Sequence, residues 1–302
     1  MAAYDKLMQR VADGARILTD GATGTEIERR GVPQLDNAWN GGGALSHPDI
    51  LTQVHADYIR AGAEIIISNT FATALYALED AGVDADFVAY NQRAVELARE
   101  AREMCHAPDV LVAGGLSYWT WSGRVPSLDE IRQSAEAQAN IMTEAGADLL
   151  MLEMMVDHEQ ALIMYNAAAR TGRPVWVGLS CARDSEGEMR LMHGDPIEPL
   201  LDALRELQAP LINIMHTEVE DVAACLDILD QNWSGPVGVY AHSARWVGQV
   251  TQFEGTIPPE VYARQAQIWM QRGVQLIGGC CRLGVAHIEA LQPLVTAQSL
   301  GL

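Results

Sequence analysis

Val274-Gln275-Leu276-Ile277-Gly278-Gly279-Cys280-Cys281 is an apolar run that ends in two glycines and two adjacent cysteines. Side chains of a regular strand alternate between faces, so neighbouring thiols cannot point the same way unless the backbone turns. Glycine permits such a turn, and both sulfurs then reach one soft metal ion. A buried thiol pair or a strained vicinal disulfide is the competing reading of the same four residues. The run also bears on the fold, because it is the last of eight short stretches with the same strand-like character.

The other seven are Arg16–Asp20, Glu64–Asn69, Val110–Leu116, Asp148–Met154, Pro174–Ser180, Leu211–His216 and Pro236–Ala241. Runs that are apolar throughout suit a parallel sheet covered on both faces. Longer segments alternate with them, apolar at spacings of three and four: His47–Ala61, Tyr90–Cys105, Leu128–Ala145, His158–Thr171, Pro199–Gln208, Val219–Asn232 and Pro259–Arg272. Eight β-then-α units without linker, repeat or low-complexity stretch predict an α/β fold, a (β/α)8 TIM barrel occupying residues 1–302 as a single domain. A doubly wound open sheet is the main competitor, but it usually brings a glycine-rich phosphate loop after its first strand. Here Asp20-Gly21-Ala22-Thr23-Gly24-Thr25-Glu26 lacks that spacing, and Thr23 with Glu26 reads instead as a capping box.

Composition narrows the chemistry. A net charge of −20 argues against a nucleic-acid partner, because phosphate binding needs clustered cations. No apolar run reaches the ~18 residues of a membrane span, and the N-terminus lacks a basic-then-apolar leader. A cytoplasmic location and no membrane partner are therefore expected. Five cysteines make an odd count, too sparse for a disulfide scaffold, so reduced thiols are expected. Lys6 is the only lysine and precedes the first strand. Schiff-base and pyridoxal phosphate chemistry need a lysine in the site, so both are nearly excluded.

In a barrel the chemistry gathers where strands end. Those boundaries nominate Asp20, Asn69-Thr70, Glu153, Cys181, His216, His242 and the Cys280-Cys281 pair. These strand ends resemble the homocysteine S-methyltransferase family. Leu18 to Glu26 resembles its first motif; Asp36-Asn37-Ala38-Trp39, His55 to Ala63 and Ser68-Asn69-Thr70-Phe71 resemble its second block. Gly-Gly-Cys-Cys followed by His287-Ile288 resembles its last. The Trp39 block and the length are more similar to the S-methylmethionine-using branch than to the betaine-using one.

The resemblance implies a zinc barrel that moves a methyl group from a sulfonium donor, S-methylmethionine or S-adenosylmethionine, to the thiol of homocysteine, giving methionine. It implies three cysteine ligands to Zn2+. Cys280 and Cys281 match two, and His216 stands where the third is expected, in Ile214-Met215-His216-Thr217. Histidine is itself a zinc ligand, and the exchange makes the site one charge less negative. Two further departures are Tyr240-Ala241-His242 in place of Tyr-Pro-Asn, and Met154-Met155-Val156 in place of Thr-Ile-Pro. By resemblance Asp20 and Glu153 act as the catalytic carboxylates and hold the substrate amino group. Gly21, Thr70 and Trp39 join them as substrate-binding residues.

Each residue also has a plainer reading. Asp20 is a good turn former, whereas a carboxylate ending a run as apolar as Leu149-Leu150-Met151-Leu152 needs a partner. His242 is a candidate fourth ligand, a general base, or a polar strand-end residue. Trp119 and Trp121 suit either loop packing or a cation–π wall for a cationic donor. Cys181 reads as a small buried apolar residue. Cys105 and Cys225 fall in helices, His47 and His55 near a helix start, and His193 in a polar loop. The competing functions are a relative that methylates another thiol or takes a betaine-like donor, and a silent zinc- or thiol-binding barrel. Partners are in either case a small-molecule thiol acceptor and methyl donor; the oligomeric state is open.

Overall fold

Eight parallel strands follow one another around a ring in a computed structural model that describes residues 3–243, 245–246 and 253–299. They are β1 (Ile17–Leu18), β2 (Ile65–Ile67), β3 (Leu111–Leu116), β4 (Leu149–Met155), β5 (Val175–Leu179), β6 (Ile212–Glu218), β7 (Val237–His242) and β8 (Leu276–Ile277). Each pairs with its neighbour in chain order, and β8 returns to β1 through Ile17↔Leu276 and Leu18↔Ile277. The ring closes between β1 and β2, where Glu64 N donates to Leu18 O at 2.7 Å and Asp20 N to Ile65 O at 3.0 Å. The predicted (β/α)8 barrel is thus the observed fold.

Helices cover the outside at the expected places, among them Pro48–Arg60, Phe87–Met104, Leu128–Glu144, His158–Ala169, Glu198–Glu206, Val222–Asn232 and Pro259–Gln271. Because strands are covered by helices outside and by one another inside, Leu149 to Leu152 are fully buried without any alternation. That is why their pattern reads as a continuous apolar run. An additional helix, Ala3–Ala12, lies near the N-terminal end of β5, where Trp176 Nε1 donates to Tyr4 Oη at 3.0 Å. Short antiparallel hairpins follow β5 (Cys181–Arg183 with Met189–Leu191) and β7 (Arg245–Trp246 with Phe253–Glu254). No described helix is long and apolar enough to cross a membrane.

Two local expectations are corrected. Gly278 and Gly279 do not supply a left-handed turn; the positive φ after β8 falls on Arg282, at 69°. The glycines are there for contact. A Cβ on Gly278 would stand 2.1 Å from Thr19 Cγ2, and one on Gly279 2.6 Å from Leu283 Cβ. Nor does Thr23 form a capping box with Glu26. The helix Thr23–Arg29 is preceded by Ala22 with no side-chain cap, and Glu26 is clasped by Arg29 and Arg30 at 2.6 and 2.7 Å.

Candidate active site

Regular alternation would put only every second residue of a strand on the inside of the barrel, yet Glu153 and Met154 both line one cavity, as do Met215 and His216. The backbone resolves this with two left-handed residues, Met154 at φ 55° and His216 at φ 43°. Both sit at register shifts, between Leu152 and Met155 in β4 and between Met215 and Glu218 in β6. Such a conformation costs a non-glycine residue about 1–3 kcal/mol, so neighbouring contacts must hold it. Met154 N donates to Met215 Sδ at 3.1 Å, and Ser180 Oγ to Met215 O at 3.0 Å.

His216 is thereby turned toward the paired cysteines. Its Nδ1 lies 3.5 Å from Cys280 Sγ and 3.6 Å from Cys281 Sγ, and the two sulfurs are 3.9 Å apart. Bonds of ~2.3 Å to sulfur and ~2.0 Å to nitrogen about a tetrahedral ion give edges of about 3.8 Å and 3.5 Å. The three donors therefore fit one such ion, with the fourth corner left for a ligand. Backbone bonds hold the thiol pair in place: Cys280 N donates to Ala241 O at 2.9 Å and Gly279 N to Asp20 O at 3.1 Å. The adjacent Cys281 thiol, then burial, push the Cys280 thiol well above its ordinary range, and His216 opposes them. A bound metal would reverse that shift, because coordination favours the thiolate.

His242 stands outside this trio, the group whose donor atoms all lie within 4.8 Å of one another. Its ring packs 4.4 Å from that of His216, and its Nε2 lies 3.2 Å from Glu218 Oε1. Burial, then His216, lower its pKa to about 3, so the imidazole is neutral.

The cavity measures about 500 Å³ and is walled by the ends of β1, β2, β4, β6, β7 and β8. Asp20 is buried at its floor, where Oδ2 accepts from Ile67 N at 2.8 Å and Oδ1 from Thr19 Oγ1 at 3.4 Å. Burial nevertheless pushes its pKa up to about 8. Glu153 has no hydrogen-bond donor among the described residues; burial first, then Cys280 and Asp20, raise it well above the carboxylate range. Gly115 makes room for it, since a Cβ there would stand 2.7 Å from Glu153 Oε2. No lysine or arginine lines the cavity among the described residues, and Lys6 pairs with Asp109 on the surface.

Gly21 and Trp39 line the same cavity, whereas Thr70 does not: its hydroxyl is turned to Gly115 O at 2.7 Å, while Ser68 and Asn69 face the space. Trp39, Phe71 and Trp121, from the loops after β1, β2 and β3, form an aromatic cluster with ring centroids 5.8–6.3 Å apart. Trp119 is also on the wall and packs beside His193. Cys181 lines the cavity too, its thiol raised by neighbouring Cys225 and by burial. Reading the sequence missed Phe71, Glu218 and Tyr240. Phe71 follows directly on the Ser68-Asn69-Thr70 strand end, the one signal that would have nominated it.

Comparison with known proteins identifies the family. A family model described as homocysteine S-methyltransferase matches residues 17–295. The homocysteine S-methyltransferase of Escherichia coli is 29% identical over 91% of this chain and 94% of its own length. A Bacillus subtilis homocysteine S-methyltransferase, YbgG, is 26% identical over 91% and 93%. The crystal structure of the E. coli homocysteine methyltransferase MmuM in its metallated form superposes with a TM-score of 0.76 at 28% identity, over 93% of this chain and 96% of that one. With a barrel, a strand-end thiol pair and a match running almost end to end, the chain belongs to the homocysteine S-methyltransferase family and is an S-methyltransferase.

Proposed function

We propose that the protein moves a methyl group from a sulfonium donor to the thiol of homocysteine, giving methionine, with Zn2+ held by His216, Cys280 and Cys281. The observation that carries this reading is the triangle of Nδ1 and two Sγ atoms on the wall of a cavity that also presents two buried carboxylates. When bound, zinc would keep the acceptor sulfur ionised at neutral pH, where a free thiol is mostly protonated.

The residues of the chain then bind and orient. Burial raises the pKa of both Asp20 and Glu153, that of Asp20 to about 8, and the ammonium group of an amino-acid thiol would favour the ionised form of each. Gly21 offers a backbone amide at the same wall. His242, neutral and braced on Glu218, fixes the ring of His216. Trp39, Phe71 and Trp121 line the cavity, and aromatic rings there would favour a cationic donor over the neutral thioether left behind. In the step itself the acceptor sulfur's lone pair forms the new S–CH3 bond. The bond from methyl carbon to sulfonium sulfur breaks, its electron pair stays on the leaving sulfur, and the thiol proton goes to solvent. Ordering both substrates in line supplies much of the rate.

The test combines metal analysis with product analysis on the purified protein. S-methylmethionine, S-adenosylmethionine and glycine betaine are each offered with homocysteine. Methionine from either sulfonium, with about one zinc per chain and activity lost to chelators, is the expected result. Methionine from betaine alone would reassign the donor, and methylation of another thiol with homocysteine inert would reassign the acceptor. Tight zinc with no product would mark a silent barrel, and chelator-resistant turnover would remove the metal from the mechanism.

A further inference from the structure

Two tyrosines, Tyr58 and Tyr240, are almost wholly buried with hydroxyls that find no hydrogen-bond partner among the described residues. Of the two, only Tyr240 lines the cavity. Its phenol crosses the barrel from β7 toward β5, and Gly178 leaves the space it occupies: a Cβ there would stand 2.7 Å from Tyr240 Oη. That same Cβ would stand 2.9 Å from Leu152 O, so the hydroxyl lies beside β4, near the residue that precedes Glu153. After burial, the groups that raise the pKa of this phenol are Glu153, Cys280 and Asp20.

A phenylalanine would fill this space equally well without burying an unsatisfied hydroxyl, which is a costly thing to bury. The oxygen is therefore best explained by a partner that arrives with the ligand. Its surroundings say which part of the ligand. A ligand carboxylate would find no cationic side chain to pair with, since none lines the cavity among the described residues, whereas an ammonium would find Glu153 and Asp20. An ammonium group has three N–H donors. Asp20 and Glu153 account for two.

We propose that the Tyr240 hydroxyl is the third acceptor, binding the α-ammonium of the acceptor substrate and so selecting amino-thiols over thiols that lack an amine. This rests on the amino-acid thiol reading above. Tyr240 would then be a specificity-determining residue rather than part of the barrel packing.

The experiment is calorimetric titration of the zinc-loaded full chain, without methyl donor, comparing the protein with Tyr240→Phe. Three thiols are used: homocysteine, 3-aminopropanethiol (amine without carboxylate) and 4-mercaptobutanoate (carboxylate without amine). Homocysteine and 3-aminopropanethiol should each bind about tenfold more weakly to the variant, the effect of one hydrogen bond to a charged group. 4-Mercaptobutanoate should bind both proteins alike. Removing an orphaned hydroxyl should leave the melting temperature of the ligand-free protein unchanged or higher. Equal homocysteine affinity in the two proteins overturns the proposal, as does a loss that appears with 4-mercaptobutanoate and not with the amine. If the unsubstituted protein itself fails to bind homocysteine, the amino-acid thiol reading falls and this assignment with it, an outcome distinct from equal binding.

Discussion

Asp20 combines two demands that pull its ionisation in opposite directions. It accepts hydrogen bonds from Ile67 N and Thr19 Oγ1, which favour the carboxylate, but complete burial outweighs them and raises its pKa to about 8. A carboxyl whose pKa is higher in the folded than in the unfolded chain stabilises the fold below the unfolded value, near 4, and loses that contribution as pH rises toward 8. The ligand-free protein should accordingly lose stability relative to Asp20→Asn between about pH 5 and 8, since asparagine keeps an acceptor for Ile67 N and does not titrate. Urea denaturation of the two proteins across that range measures the difference. A gap independent of pH would mean that Asp20 is already ionised in the empty cavity, and its proposed recharging by an ammonium would lose its basis. The same burial explains why the residue was legible in sequence. An aspartate at the end of an apolar strand is unusual enough to stand out, whereas Tyr240 looks like ordinary barrel filling until its hydroxyl is seen to lack a partner.

The strands show both what patterning reveals and where it stops. All eight were readable because a strand buried on both faces leaves a continuous apolar run, and each observed strand falls inside or beside its predicted range. Their ends were not, because β1 and β8 count only two residues each, Ile17–Leu18 and Leu276–Ile277, while Asp20, Gly279, Cys280 and Cys281 just beyond them line the cavity. The left-handed residues Met154 and His216 were not readable in the sequence either; methionine has no bias toward positive φ, histidine's enrichment there does not single out one position, and tertiary contacts impose the conformation. The hairpin Cys181–Arg183 with Met189–Leu191 and the helix Ala3–Ala12 were likewise unread. Gly278 was noticed for the wrong reason, and its true role makes a prediction about the seam between β8 and β1. A Cβ at Gly278 would meet Thr19 Cγ2 at 2.1 Å and Asp20 O at 2.8 Å, and the second of these is backbone that cannot rotate away. Gly278→Ala should cost about 1–3 kcal/mol, as overpacking does, and should weaken metal binding by displacing the thiol pair two residues on. Denaturation and zinc titration of the variant check both. Wild-type stability with intact zinc affinity would show that the seam has slack.

Across the whole molecule, the proposed zinc ligands come from β6 and from the turn after β8, 64 residues apart in the chain and on opposite sides of β7. A metal there would tie together strand ends that do not pair with each other, next to the β8–β1 seam where two strands of two residues complete the ring. Binding to the folded state alone raises stability by mass action, by about 4 kcal/mol when free metal exceeds its dissociation constant a thousandfold. A barrel of this size melts over a transition steep enough that each kcal/mol moves the midpoint by only about 2–4 °C. Stripping the metal should therefore lower the melting temperature by several degrees, and adding zinc back should restore it, with no change in secondary structure at room temperature. His216→Ala should melt near the stripped protein and respond weakly to zinc. His216→Cys should still respond, because a third thiolate satisfies the same tetrahedral corner. Differential scanning calorimetry of the three proteins with and without zinc makes the comparison. If all three melt together whatever the metal, the imidazole and the two sulfurs do not share an ion, and their 3.5–3.9 Å spacing is packing alone.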